Sequence, residues 1–197
     1  DLIMVFLALE TASVPLYLLA GFRFRDSKSV EAGLKYLLYG AMASTIMLFG
    51  FTFLYGFSGT TQLYEIGAAI RSGNIPPMAA AMAGLLVLAG LGFKVSAVPF
   101  HFWAPDVYEG APTAISGFLS TASKAGGFAV LLRFSFAVFP ALSGHAPLLI
   151  AIMAVASMLV GNIMALSQKN FKRRGRKERK EHGVAIAKRE RFFGIGS

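Results

Sequence analysis

Three charged side chains stand deep inside long apolar runs of this 197-residue sequence: Glu10, Lys94 and Lys124. An ionised group at the centre of a membrane-spanning helix costs about 2.5–3.5 kcal/mol on insertion scales, so such residues face partners or water and mark ion paths. Glu10 and Lys94 have opposite signs. A pair about 4 Å apart is worth about 4 kcal/mol at an effective dielectric near 20, enough to keep both ionised. Separating the two removes that support, and a lysine left alone in apolar surroundings releases its proton and regains it when the pair reforms. These residue types therefore predict reversible proton transfer. The alternative is a static ion pair that only fixes helix packing.

The surroundings of the lysines point the same way. Gly90 and Gly92 precede Lys94 and Pro99 follows it. Proline removes the amide that the Val95 carbonyl needs and crowds the same turn, so the helix is predicted to kink or break near Pro99. Broken helices at membrane depth are tolerated where they line a hydrated cavity or are buried in protein. His101 lies two turns beyond Lys94 and would share its face in a regular helix, as a proton relay or as an interfacial histidine bound within a loop. Ser116, Ser120 and Lys124 fall at i, i+4 and i+8, a polar stripe predicted to turn away from lipid. Ala122, Ser123, Ala125, Gly126 and Gly127 beside it are small, as where helices approach closely. Arg133 sits nearer the end of its segment, where a long side chain reaches the interface as an anchor.

Other chemistries are excluded by what the sequence lacks. It has no cysteine, which removes disulfides, cysteine-ligated metals, iron–sulfur clusters and thiol nucleophiles. Gly90-Leu-Gly-Phe-Lys-Val-Ser96 lacks the glycine spacing of a dinucleotide fingerprint or a phosphate-binding loop. No metal or cofactor site is expected. The net charge of +9 suggests a nucleic-acid partner until it is divided: residues 173–197 hold nine Lys/Arg against three Asp/Glu. The rest of the chain is 55% apolar when counted with that tail and is read as membrane protein.

Crossing an apolar layer about 30 Å thick takes about 20 mostly apolar residues. Five such runs occur, approximately 2–22, 36–57, 78–100, 113–139 and 147–167. They do not alternate as barrel strands do, so the fold class is an all-α polytopic membrane protein. The connection 23–35 carries Arg23, Arg25, Lys28 and Lys35 and is placed on the cytoplasmic side; 58–77 and the uncharged Ser143-Gly-His145 fall outside. The N-terminus is then outside, and the last span ends inside at Lys169 and Lys172. Loop 101–112, acidic and without a basic residue, fits this pattern less well. Leu63, Ile66, Gly67 and Ile70 have helical spacing, as in a short interfacial helix or an irregular apolar loop. Asp1 opens directly onto an apolar run without a basic leader, as in a segment cut from a longer chain.

The run Gly92-Phe-Lys-Val-Ser-Ala-Val-Pro-Phe-His-Phe-Trp-Ala-Pro-Asp-Val-Tyr-Glu-Gly-Ala-Pro112 resembles the signature of the antiporter-like subunits of respiratory complex I. Its Phe-Lys-Val-Ser-Ala-Val-Pro-Phe-His and Asp-Val-Tyr-Glu-Gly-Ala-Pro forms are similar to the subunit N, or subunit 2, branch. Glu10 with Ser13-Val-Pro-Leu-Tyr-Leu-Leu-Ala-Gly21, Lys35-Tyr-Leu-Leu-Tyr-Gly-Ala-Met-Ala-Ser44, Ser120-Thr-Ala-Ser-Lys-Ala-Gly-Gly-Phe-Ala129 and Asn162-Ile-Met-Ala-Leu-Ser-Gln-Lys-Asn-Phe-Lys-Arg173 extend the likeness over nearly all of 1–173. The resemblance implies about fourteen spanning helices, of which this chain would supply the fifth to ninth. It also implies that Glu10 is the family's membrane glutamate, Lys94 its lysine on a broken helix and Lys124 the next lysine of a proton-translocating axis. Quinone reduction in NADH:quinone oxidoreductase would drive that axis. Flavin and iron–sulfur clusters would belong to other subunits and quinone would be the substrate of the complex. The implied partners are other membrane subunits and protons, and the implied location is the cell inner (plasma) membrane or an organellar energy-transducing membrane.

After Lys172-Arg173 the family continues into another apolar helix, whereas Arg174-Gly-Arg-Lys-Glu-Arg-Lys-Glu181 begins a polar stretch. The division expected is a partial proton-translocating bundle over 1–172 and a basic tail over 173–197. A shifted reading frame or mis-joined gene produces such a tail, as does an extension held at anionic lipid head groups. Two other functions share these features: a subunit of a multi-subunit cation/proton antiporter, and an inactive membrane fragment that lacks half the path.

Overall fold

In the computed structural model, which describes residues 1–141 and 146–167, each of the five apolar runs is helical over most of its length. The helices are α1 (Leu2–Ala20), α2 (Ser27–Ser58), α3 (Leu63–Arg71), α4 (Pro77–Val95), α5 (Trp103–Gly110), α6 (Thr113–Ala137) and α7 (Ala146–Ser167), with a 3-10 turn at Phe139–Ala141. Among the described residues there is no strand. α1, α2, α4, α6 and α7 are long and apolar enough to cross a membrane, so the all-α polytopic reading holds.

Local chemistry sets the helix ends. Asp1 caps α1 by accepting from the Ile3 amide at 2.7 Å, and Asp26 caps α2 by accepting from Lys28 at 3.1 Å. The Asp26 cap corrects one boundary: most of the expected loop 23–35 is the opening of a 32-residue helix, and the connection itself is only 21–26. Pro77 opens α4, where its missing amide costs no helical bond. α3 takes the helical form of the two read from the 63–70 spacing, burying Leu63, Ile66 and Gly67.

α2 is the central element of the unit formed by residues 1–157, with α1, α3, α4 and α5 all packed on it, while α6 packs on α4 and α1. The α2–α4 crossing needs a residue without a side chain: a Cβ at Gly90 would overlap Met47 and meet the Ala43 carbonyl at 3.0 Å. One apolar cluster joins Met47, Phe51, Leu54, Val87, Leu91 and Phe134, with Ile150 and Met153 of α7 against it. A second gathers Leu16, Tyr17, Tyr36, Phe93, Trp103 and Leu119.

Loop 101–112, read as a connection, is largely the helix α5. Its exposed acids pair with the first turns of α2: Lys35 with Asp106 at 2.7 Å and Lys28 with Glu109 at 3.1 Å. Beneath these pairs a Cβ at Gly110 would overlap the Lys28 carbonyl, so the two backbones are in direct contact. The second unit begins at Met158. Its described part is the end of α7, where Leu159, Ile163 and Leu166 are exposed. The loop around His145, the residues Lys169 and Lys172 and the basic tail 173–197 lie outside the described residues.

Candidate functional site

Glu10 of α1 and Lys94 of α4 meet between helices. The Lys94 side chain is 7% exposed and that of Glu10 23%, and Lys94 Nζ donates to Glu10 Oε1 at 3.0 Å. Two serines complete the pair. Ser13, one turn from Glu10, accepts from Lys94 Nζ at 2.7 Å, and its own hydroxyl donates to the Leu9 carbonyl at 2.5 Å. Ser44 of α2 donates to Glu10 Oε1 at 2.6 Å. The ammonium thus has two acceptors and the carboxylate two donors, one charged, which is how a buried ion pair avoids unmet hydrogen-bonding capacity.

Just past Lys94 the helix ends in a defined way. Ser96 adopts the left-handed conformation (φ 57°, ψ 41°). Its amide donates to the Phe93 carbonyl at 3.0 Å and that of Ala97 to the Gly92 carbonyl at 2.8 Å, the paired bonds of a Schellman motif. Two carbonyls then lose their helical donors. The donor for Val95 would be Pro99, which has no N–H. The donor for Lys94 would be Val98, whose amide instead donates to Ser157 Oγ of α7 at 2.9 Å. The Lys94 carbonyl is taken up by Lys124 of α6, whose Nζ donates to it at 3.3 Å and also to Ser96 Oγ. The negative end of the α4 dipole thus lies at the Lys124 ammonium. Close approach of α6 permits the contact, since a Cβ at Gly127 would meet Val95 Cγ1 at 3.0 Å.

The far side of Lys124 is aromatic. Its Nζ lies 4.6 Å from the centre of the Trp103 ring. Trp103, 3% exposed, stacks on Tyr36 at 4.6 Å and 11°, and its indole N–H donates to the Phe93 carbonyl at 3.3 Å. Tyr17 meets Tyr36 edge-on at 4.6 Å. On α5, burial pushes the Tyr108 phenol above its ordinary range.

Glu10, Lys94 and Lys124 are therefore brought to one locus, while the other expectations divide. The break near Pro99 is present, as a non-helical stretch over 96–102. It begins at Ser96, so the regular helix that would have put His101 on the Lys94 face does not exist. His101 stacks on Phe102 at 4.8 Å; among the described residues its buried Nδ1 has no partner, and no hydrogen bond or ion pair joins it to Glu10, Lys94 or Lys124. The serine stripe is not a continuous inward face either. Ser116 donates to the Tyr108 carbonyl at 3.1 Å, whereas Ser120 is exposed and bonds back to Gly117 at 2.8 Å, because a serine in a helix can satisfy itself on the preceding turn. Gly127 makes the close approach read from the small residues; Gly126 faces open space. Arg133 is exposed, as an anchor would be. Among the described residues no group of His, Cys, Asp or Glu could hold a metal ion.

Ser13, Ser44, Ser96 and Trp103 were not singled out as partners by spacing. Ser13 carried a signal, one turn from Glu10 on the same helix face. Ser96 carried none, since serine is not the residue that marks a left-handed cap.

The family model described as NADH:quinone oxidoreductase/Mrp antiporter, TM, matches residues 1–174. The chain is 50% identical over 173 residues to NAD(P)H-quinone oxidoreductase subunit 2 of Prochlorococcus marinus (strain MIT 9303), covering 88% of this chain and 33% of that protein. It is 47% identical over 181 residues to NADH-quinone oxidoreductase subunit N of Chlorobium chlorochromatii (strain CaD3), covering 88% and 35%. Among solved structures, a chain of respiratory complex I from Thermus thermophilus with bound aureothin is similar with a TM-score of 0.70 at 40% identity, over 85% of this chain and 35% of that one. A chain of an archaeal membrane-bound sulfane sulfur reductase is similar with a TM-score of 0.76 at 28% identity, over 85% and 34%. The chain spans about a third of the length of the curated relatives it matches.

Proposed function

The chain belongs to the NADH:quinone oxidoreductase/Mrp antiporter transmembrane family, and on that premise we propose that it is the proton-carrying core of a subunit N-type component of NADH:quinone oxidoreductase. The observation that carries this reading is the Glu10–Lys94 ion pair, buried at the end of a broken helix whose free carbonyl holds Lys124. When Glu10 and Lys94 are paired, the carboxylate and Ser13 keep Lys94 protonated. When they part, the Lys94 ammonium stands in an apolar helix interface with Ser13 as its one remaining acceptor and loses a proton. The α4 end offers that proton a receiver. A neutral Lys124 amine beside Ser96 and the Lys94 carbonyl becomes an ammonium there, stabilised by the helix terminus, while Lys94 becomes the amine. One proton changes residue, and restoring the Glu10 contact raises the proton affinity of Lys94 again, so that it takes the next proton from water on the entry side.

In this reading, movement of Glu10 against Lys94 is driven by quinone reduction elsewhere in a complex of several membrane subunits, in an energy-transducing membrane. Flavin and clusters lie in other subunits. The relatives with 47–50% identity carry oxidoreductase names, which favours this over a redox-free antiporter. The test is proton pumping in membrane vesicles, with the segment carried in its complete subunit. Lys124→Ala is expected to lower pumping at least tenfold while the subunit still assembles. Lys124→Arg should not restore it, since guanidinium stays protonated. Normal pumping by both variants would remove Lys124 from the path.

A further inference from the structure

Trp103 sits between the two halves of the site. Its ring faces the Lys124 ammonium at 4.6 Å on one side and the Tyr36 ring at 4.6 Å on the other, and its N–H is committed to the Phe93 carbonyl. A cation over a buried indole face is held by the ring quadrupole, most strongly when both are desolvated, and the attraction vanishes when the amine is neutral. Trp103 also opens α5, the short helix joined to α4 through the non-helical 96–102 stretch and to the start of α2 through exposed ion pairs. Exposed pairs of this kind are weak. We propose that Trp103 is a positioning residue for Lys124: its ring favours the charged form of the lysine at the end of α4, and displacement of α5 withdraws that support.

The groups facing this contact are few. From α4 comes Lys94, its ammonium turned to Glu10 of α1. Tyr36 of α2 and Tyr108 of α5 flank the ring, and Tyr17 of α1 packs edge-on against Tyr36. Asp106 and Glu109 of α5 are committed to Lys35 and Lys28, and His101 lies in the connection just before Trp103. Among the described residues, Lys124 itself has no carboxylate partner, so a neutral π face is the group that opposes its loss of charge from the α5 side.

The consequence for pumping rests on the relay reading of Lys124, but the contact can be measured without it. Trp103 is the sole tryptophan of the chain, so its emission reports this ring alone. The full 197-residue chain is placed in lipid nanodiscs in a His101→Gln background, which removes the imidazole two residues before Trp103 in the sequence. At about pH 5, where an ammonium is retained, Lys124→Met should shift the Trp103 emission maximum and lengthen its lifetime, and Lys124→Arg should keep the parent spectrum. A Met variant identical to the parent, or an Arg variant that departs as far as Met, would overturn the contact. In vesicles, Trp103→Leu should move the pH of half-maximal pumping down by about one unit, a tenfold loss of proton affinity, and Trp103→Phe by less. Unmoved profiles in both would overturn the positioning role. If Lys124→Ala pumps normally while the emission result stands, the relay reading fails and the contact survives.

Discussion

At the scale of single residues, the site depends on groups that do no proton chemistry themselves. Ser96 shows this best. A serine in the left-handed region costs about 1–2 kcal/mol relative to right-handed backbone, yet its hydroxyl is a hydrogen-bond acceptor of Lys124. Ser96→Gly is therefore expected to raise thermal stability by about 1 kcal/mol while lowering pumping several-fold, a divergence that melting and vesicle assays on one preparation will show. A fall in both, or in neither, would contradict the assignment. The charged residues were legible in the sequence because their cost in an apolar run is independent of partner. Their partners were not, since Ser13, Ser44 and Ser96 are unremarkable by type, and Ser96 becomes an acceptor only through a cap that serine rarely makes.

Among the elements, helices built from apolar residues were legible and their exact ends less so. α2 begins nine residues before its apolar run because Asp26 caps it and Lys28, Glu31 and Lys35 lie on polar turns that pattern alone assigns to a loop. α4 stops four residues before Pro99 because the Schellman bonds close it first, which also moved His101 off the expected face. Packing between α2 and α4 sets the register of Lys94 against Glu10 and Ser44. Gly90→Val is expected to force these helices apart, costing about 1–3 kcal/mol from overpacking, with a loss of assembled subunit read by quantitative immunoblot. Gly126→Ala, facing open space, should leave assembly unchanged. Equal tolerance of both would mean that the α2–α4 crossing does not control the pair.

For the whole molecule, composition was enough to read a helical membrane bundle, because 55% apolar residues in five unbroken runs have few other solutions. Orientation rests on the basic residues at the α1–α2 connection. Because the chain has no cysteine, single cysteines at Ser27 and Thr60 can be labelled without a background; Thr60 should react with an impermeant reagent from outside and Ser27 should be protected, and the reverse pattern would overturn the topology. In the proposed mechanism Glu10 and Lys94 act as one switch rather than as two sites. It is tested most directly by a double-mutant cycle of proton pumping in vesicles, with assembly held constant, on Glu10→Gln, Lys94→Met and the double variant. Each single change is expected to lower pumping at least tenfold and the double variant to lose little more than either; multiplicative losses would mean that the two residues act separately.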